Sequence, residues 1–154
     1  MPIKCTTPKE QINAYIQERI ARMNKAIVNT LCYAGEMCVN EARSYHGKAY
    51  QDQTGNLRSS IGYVVAVDGI IQQIGGFNVV LNGQEGAMTG RQYAQEVLRQ
   101  YPHDTVLIVV AGRTYARYVA AKGYNVLQSA EALAEQIVPD LLKQLNDIAN
   151  EELS

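Results

Sequence analysis

The stretch DQTGNLRSSIGY, residues 52–63, gathers the side chains on which chemistry could be built: Thr54, Gly55, Arg58, Ser59 and Ser60. A glycine beside hydroxyls and a guanidinium suits a phosphate cradle, a loop presenting a nucleophile, or a structural joint. A Walker-type cradle needs G-x-x-x-x-G-K-[ST], so that backbone amides and a lysine surround the phosphates. The glycine-rich run GQEGAMTGRQ does not keep that order. Arg91 and Gln92 follow Gly90 where a lysine and a hydroxyl are required, and Glu85 stands five residues before it. Neither G-x-G-x-x-G nor G-x-S-x-G occurs.

Nucleophilic catalysis needs a base within reach, usually histidine, and the chain has two, His46 and His103. His46 follows Tyr45 near a predicted helix end, where a C-terminal cap accounts for it, and His103 lies in the turn sequence YPHD. The three cysteines, Cys5, Cys32 and Cys38, form no C-x-x-C pair, and no set of His, Cys and carboxylates has zinc-ligand spacing. An odd count without a secretory signal argues for free thiols, Cys32 and Cys38 serving as small buried apolar residues. Asp52, Asp68 and Asp104 all occupy turn contexts, where aspartate bonds its own backbone. The residues taken alone assign no catalytic, cofactor or metal site.

The elements that position these residues follow from periodicity. Thr7, Pro8 and Glu10 predict a capped helix start. Apolar or small residues then recur in steps of three and four at Ile12, Ile16, Ile20, Met23, Ile27, Leu31, Ala34, Cys38, Ala42 and Tyr45. This predicts one helix over about 8–45, ~57 Å long at 1.5 Å per residue. A helix of that length presents surface that a small sheet cannot cover, although nothing in the sequence marks a long exposed apolar stripe. IGYVVAVDGIIQQIGGFNVVL predicts a hairpin around Asp68-Gly69, with Gly75-Gly76 as a bulge or bend. Asn82 to Gly90, with Gly83, Gly86 and Gly90, reads as a flexible loop that orders on assembly, and Thr89 as the cap of the helix after it. TVLIVVAG reads as a central strand covered on both faces. RTYARYVAAKG predicts a short helix ending at Gly123, and a terminal helix capped by Ser129 should be kinked or divided at Pro139. The expected fold is one α+β domain, 1–154, with helices covering a small antiparallel or mixed sheet.

Composition narrows the partners. At 154 residues the chain can bury a core without metal or disulfide support. Fourteen basic against fifteen acidic residues leave no global field that would draw nucleic acid or an anionic membrane. The charge is uneven: Lys4, Lys9, Arg19, Arg22 and Lys25 lie early, whereas Lys143 is the lone basic residue after Asn125 among six acidic ones, Glu131, Glu135, Asp140, Asp147, Glu151 and Glu152. Opposite-signed ends can steer copies together, although a solvated acidic helix also explains the second group. Ten tyrosines against one phenylalanine and no tryptophan suit half-buried and interfacial positions. MPIKCTTPKE has no signal core and no run reaches the roughly 18 apolar residues of a membrane helix, so a cytosolic product is expected where the protein is made.

With the elements in place, DQTGNLRSSI resembles the P-x-D-T-G-x-L-R-x-S-I signature of small tail-completion or head-to-tail joining proteins of long-tailed bacteriophages and prophages. AGRTYARYVAAKGYNVL is similar to the same family's second signature, Y-A-x-Y-V-E followed by glycine. The order of elements extends the resemblance over nearly the whole chain. Ala120 stands where the family usually has glutamate, and Tyr50-Gln51 replace the proline before Asp52. The resemblance implies a non-catalytic assembly protein without cofactor. Thr54, Gly55, Leu57, Arg58, Tyr115, Tyr118 and Gly123 would then be structural motif residues, and Asn82, Gly83, Gly86 and Gly90 interface candidates. It implies a ring of identical copies and contacts with other phage head or tail proteins. Weak DNA contact in the lumen is compatible with it. The location implied is the host bacterial cytoplasm during assembly and then the virion. Two other classes compete: a small cytosolic hydrolase built on His46 or His103, and a nucleic-acid module on the basic part of the first helix, which a steep salt dependence of DNA binding would reveal.

Overall fold

The computed structural model describes residues 8–44, 55–112 and 127–153. The predicted first helix is α1, Lys9–Arg43, 35 residues and ~52 Å at 1.5 Å per residue. Its cap position is Pro8 itself, with no side-chain cap bond, and the Pro8 carbonyl accepts Gln11 N–H at 3.0 Å and Ile12 N–H at 3.2 Å. Pro8 thus sits one position earlier than predicted; Thr7 lies outside the described residues. After the short helix α2, Asn56–Ser59, come strand β1, Gly62–Val67, and strand β2, Ile70–Gly76. Asp68 and Gly69 join them with φ of 52° and 79°, the two positive values that a primed two-residue hairpin turn demands. The bulge falls at Gln72, where the register passes from Val65↔Gln73 to Ala66↔Ile71. Gly75 and Gly76 stay paired, and the chain bends at Gly76 and Phe77, φ 76° and 53°. The second strand therefore stops before Phe77 instead of running on through Leu81.

Three expectations are corrected here. The glycine-spaced segment is not a loop: helix α3, Gln84–Leu98, begins inside it, and Gly83, Gly86 and Gly90 are buried. Each helical glycine costs about 1 kcal/mol relative to alanine, and the close packing described below is what outweighs that cost. Thr89 is no cap; its hydroxyl donates back to the Glu85 carbonyl at 2.9 Å. Strand β3, Thr105–Val110, is not central either. Among the described residues the sheet order is β2-β1-β3, all antiparallel, so there β1 is the central strand and β3 an edge. An apolar run records that helices cover its faces and says nothing about its sides.

Helix α4, Gln128–Leu153, is continuous through Pro139. Proline deprives the Glu135 carbonyl of its amide partner, but both residues are exposed and water can serve instead. Ser129 is not the cap. The helix begins one residue earlier, Glu131 N–H bonds the Leu127 carbonyl at 2.8 Å, and the buried Ser129 Oγ has no hydrogen-bond partner among the described residues. The segment RTYARYVAAKG lies outside the described residues.

The layers follow from strand alternation. Tyr63 and Val65, with Leu107 and Val109, face α1 and the start of α4 in a core with Leu31, Cys38, Val39, Ala42 and Ala130. Val64, Ala66, Ile108 and Val110 face α3 with Phe77, Ala87, Ala94 and Leu98. Helices α1 and α4 run antiparallel: Cys38 Sγ lies 3.7 Å from the Ala130 carbonyl, whereas Leu145, Ile148 and Ala149 lie beside Arg19, Arg22 and Met23.

Candidate functional site

The structure treats residues 55–60 as a joint. Gly55 has φ 77°, and a Cβ there would overlap the Val80 carbonyl. A β-branched residue would therefore meet both backbone strain and a steric wall. Asn56 reaches across to α3, its Oδ1 accepting Gly86 N–H at 3.1 Å and so capping the first turn of a helix 30 residues ahead. Leu57 is buried in the core on the α1 side of the sheet. Ser59 Oγ accepts Val80 N–H at 2.9 Å; Ser60 Oγ accepts Gly112 N–H at 2.8 Å and donates to the Leu57 carbonyl at 2.6 Å. Arg58 is half-buried, and its carbonyl accepts Arg43 Nε at 3.3 Å, while Arg43 Nη2 donates to the Asn78 carbonyl at 2.7 Å. Both hydroxyls are committed to backbone groups of the chain itself.

This joint seats on the glycines of α3. A Cβ on Gly83 would overlap Ser59 Oγ, on Gly86 the Asn56 carbonyl, and on Gly90 the Ser60 carbonyl. Glycines at spacings of three and four lie on one helical face, so residues 55–60 and 83–90 form one close-packed unit. Gly83, Gly86 and Gly90 are thus buried against their own chain, while Asn82 is exposed. Thr54, Tyr115, Tyr118 and Gly123 lie outside the described residues, as do His46, Asp52 and Cys5.

The remaining chemical candidates stay apart. His103, Asp68 and Asp104 are exposed, and Asp68 N–H donates to the Asp104 carbonyl at 3.1 Å, one step beyond the Val67↔Thr105 pair of β1 and β3. Cys32 and Cys38 are buried free thiols whose pKa values burial pushes up, with the charge of Glu36 adding to the effect at Cys32. Tyr63 lies with its ring between Gly35 of α1 and Gly75 of β2. Its hydroxyl donates to Glu36 Oε1 and accepts Gln73 Nε2, both at 2.9 Å. Burial, then the bond to Glu36, pushes its pKa up to about 12. No three His, Cys, Asp or Glu residues converge among the described residues, and none of the described helices is long and apolar enough to cross a membrane.

The surface that the length of the first helix is expected to leave open lies toward its N-terminus. Nothing between Lys9 and Thr30 is buried, and Ile12, Tyr15, Ile16 and Ile20 are 37–56% exposed, an apolar stripe on one face of α1. The sequence marks no such stripe and the structure shows one, on a helix that α4 accompanies antiparallel, with Leu145, Ile148 and Ala149 beside Arg19–Ala26. The periodic positions were legible, and comparing helix length with sheet size was the available signal that some would stay uncovered. No known protein family, curated protein or solved structure matches this chain.

Proposed function

We propose that this chain is a structural protein of phage or prophage morphogenesis, completing the tail or joining head to tail as a ring of identical copies. On this reading it assembles in the host bacterial cytoplasm, stays in the virion, and meets other head or tail proteins at the ring faces. The observation that supports it best is the exposed apolar stripe of α1, Ile12, Tyr15, Ile16 and Ile20. Each side chain of the stripe gains about 1.5 to 3 kcal/mol on full burial, against an association cost of ~4 to 15 kcal/mol. Four such residues make a single contact marginal. A closed ring, in which every copy gives and receives a contact, changes that balance. The joint fits the same role, because it stiffens the sheet and α3 as a frame from which α1 projects.

Light scattering over a concentration series, followed by electron microscopy of the largest species, tests this. The expected result is growth from monomer to one closed annular species. A chain that stays monomeric at all concentrations, or stops at a tight two-fold dimer, overturns the reading.

A further inference from the structure

A groove of about 780 Å³ opens along the outer side of β3. Val97 of α3 and Tyr101 just beyond its end form one wall, and Ala134, Val138 and Leu142 of α4 the other. Its floor is β3 itself, which pairs with β1 on one side and, among the described residues, with no strand on the other. Resting on the ring reading above, we propose that the α1 stripe of a second copy occupies this groove, so that each copy inserts Ile12, Tyr15, Ile16 and Ile20 into its neighbour.

Stripe and groove cannot meet within one chain. Leu31 borders the groove, and Ile16 lies fifteen residues earlier on the same rigid helix, ~22 Å away at 1.5 Å per residue. The contact therefore joins two different surfaces of neighbouring copies, and such contacts close into rings where the rotation permits. The charges agree with it. Between Lys9 and Lys25, α1 carries Lys9, Arg19, Arg22 and Lys25 against Glu10 and Glu18; Arg22 pairs with Glu18 and both arginines lie beside α4 of their own chain, which leaves Lys9, one turn before Ile12, as the cation next to the stripe. Helix α4, which supplies the longer wall, carries six acidic residues and one lysine, and Glu135 lines the groove itself. An edge strand also presents backbone N–H and C=O groups that an apolar occupant would strand. The stripe brings polar atoms for them. Tyr15 lies within it, and Arg19 donates to the Tyr15 hydroxyl at 3.1 Å, its guanidinium carbon 5.8 Å from the ring centre.

Disulfide trapping in the full chain tests the assignment. In a Cys5→Ser background, the Ile16→Cys and Val138→Cys proteins are mixed and mildly oxidised, while association is followed by light scattering. The expected product is a covalent 16-to-138 dimer, and Ile16→Glu and Val138→Glu should each weaken association about tenfold or more with unchanged circular dichroism. Dominant 16-to-16 trapping shows α1 pairing with itself and overturns the groove assignment. Assembly that survives Val138→Glu does the same while leaving the ring intact. Protection of β3 amides that Ile16→Glu fails to remove would mean that an extended segment fills the groove, again overturning it. No association by the unmodified chain overturns the ring reading and this inference together.

Discussion

From Ile12 to Ala42 the apolar positions of α1 advance in steps of three and four without a break, yet Lys9–Thr30 holds no buried residue and Leu31–Arg43 holds seven. The halves differ in residue size. The covered half buries Leu31 and Val39 together with the small residues Ala34, Gly35, Cys38 and Ala42, which let the helix lie directly on the sheet, with the Tyr63 ring against Gly35. The uncovered half uses Ile12, Tyr15, Ile16 and Ile20, large side chains that reach outward. A helical period thus states which face is apolar, and residue size separates a face that must come close to its own sheet from one that stands clear.

The largest expected effect lies in the covered half. Gly35→Val drives a branched side chain into the Tyr63 ring and should cost about 3 kcal/mol, read as a lower denaturant midpoint. A loss no greater than that of Ile16→Val would erase the distinction between the halves. Next comes the joint to which Arg43 ties the end of α1. Gly55→Val, facing a positive φ and the Val80 carbonyl, should cost about 2 kcal/mol, and Arg58→Ala about 1 kcal/mol or less. Equal or reversed losses would remove the joint interpretation.

Tyr63→Phe, which removes the bonds to Glu36 and Gln73, should cost about 1 kcal/mol at neutral pH. Its pH signature is sharper. An unfolded tyrosine ionises near pH ~10, while Tyr63 in the fold holds its proton to about 12. The contribution is complete below the unfolded pKa. Between these values the unfolded chain sheds a proton that the folded one keeps, so stability falls by up to ~1.4 kcal/mol per pH unit. Thermal melts through this window should flatten in Tyr63→Phe; an unchanged slope would mean that another group titrates. The smallest effect on folding belongs to the uncovered half. Ile12→Ser, Ile16→Ser and Ile20→Ser should each shift monomer stability by no more than about 0.5 kcal/mol, while together abolishing concentration-dependent association. A large stability loss would show that the stripe is covered within the chain.

The legible parts of the molecule rest on short-range rules. Asp68-Gly69 specifies its hairpin because a two-residue turn between twisted strands needs two positive φ values. The 3.6-residue period placed α1 from about 8 to 45, close to the observed Lys9–Arg43, because it depends only on neighbours a turn away. Gly55 and Leu57 were readable for the same reason, one by backbone geometry and the other by polarity. The misread parts depend on partners distant in sequence. Gly83, Gly86 and Gly90 resemble a loop until the backbone of 55–60 lies against them, and Asn56 looks like a loop residue until it caps a helix 30 positions away. Whether β1 or β3 is central depends on hydrogen bonds across the sheet, which apolar content does not record. The sequence by itself determined the helical period of α1 and the Asp68-Gly69 hairpin, because those follow from local sterics and periodicity. Tertiary structure alone decided which apolar surfaces the chain covers, because that depends on which face of α1 meets the sheet and α4 and on which side of β3 pairs with β1.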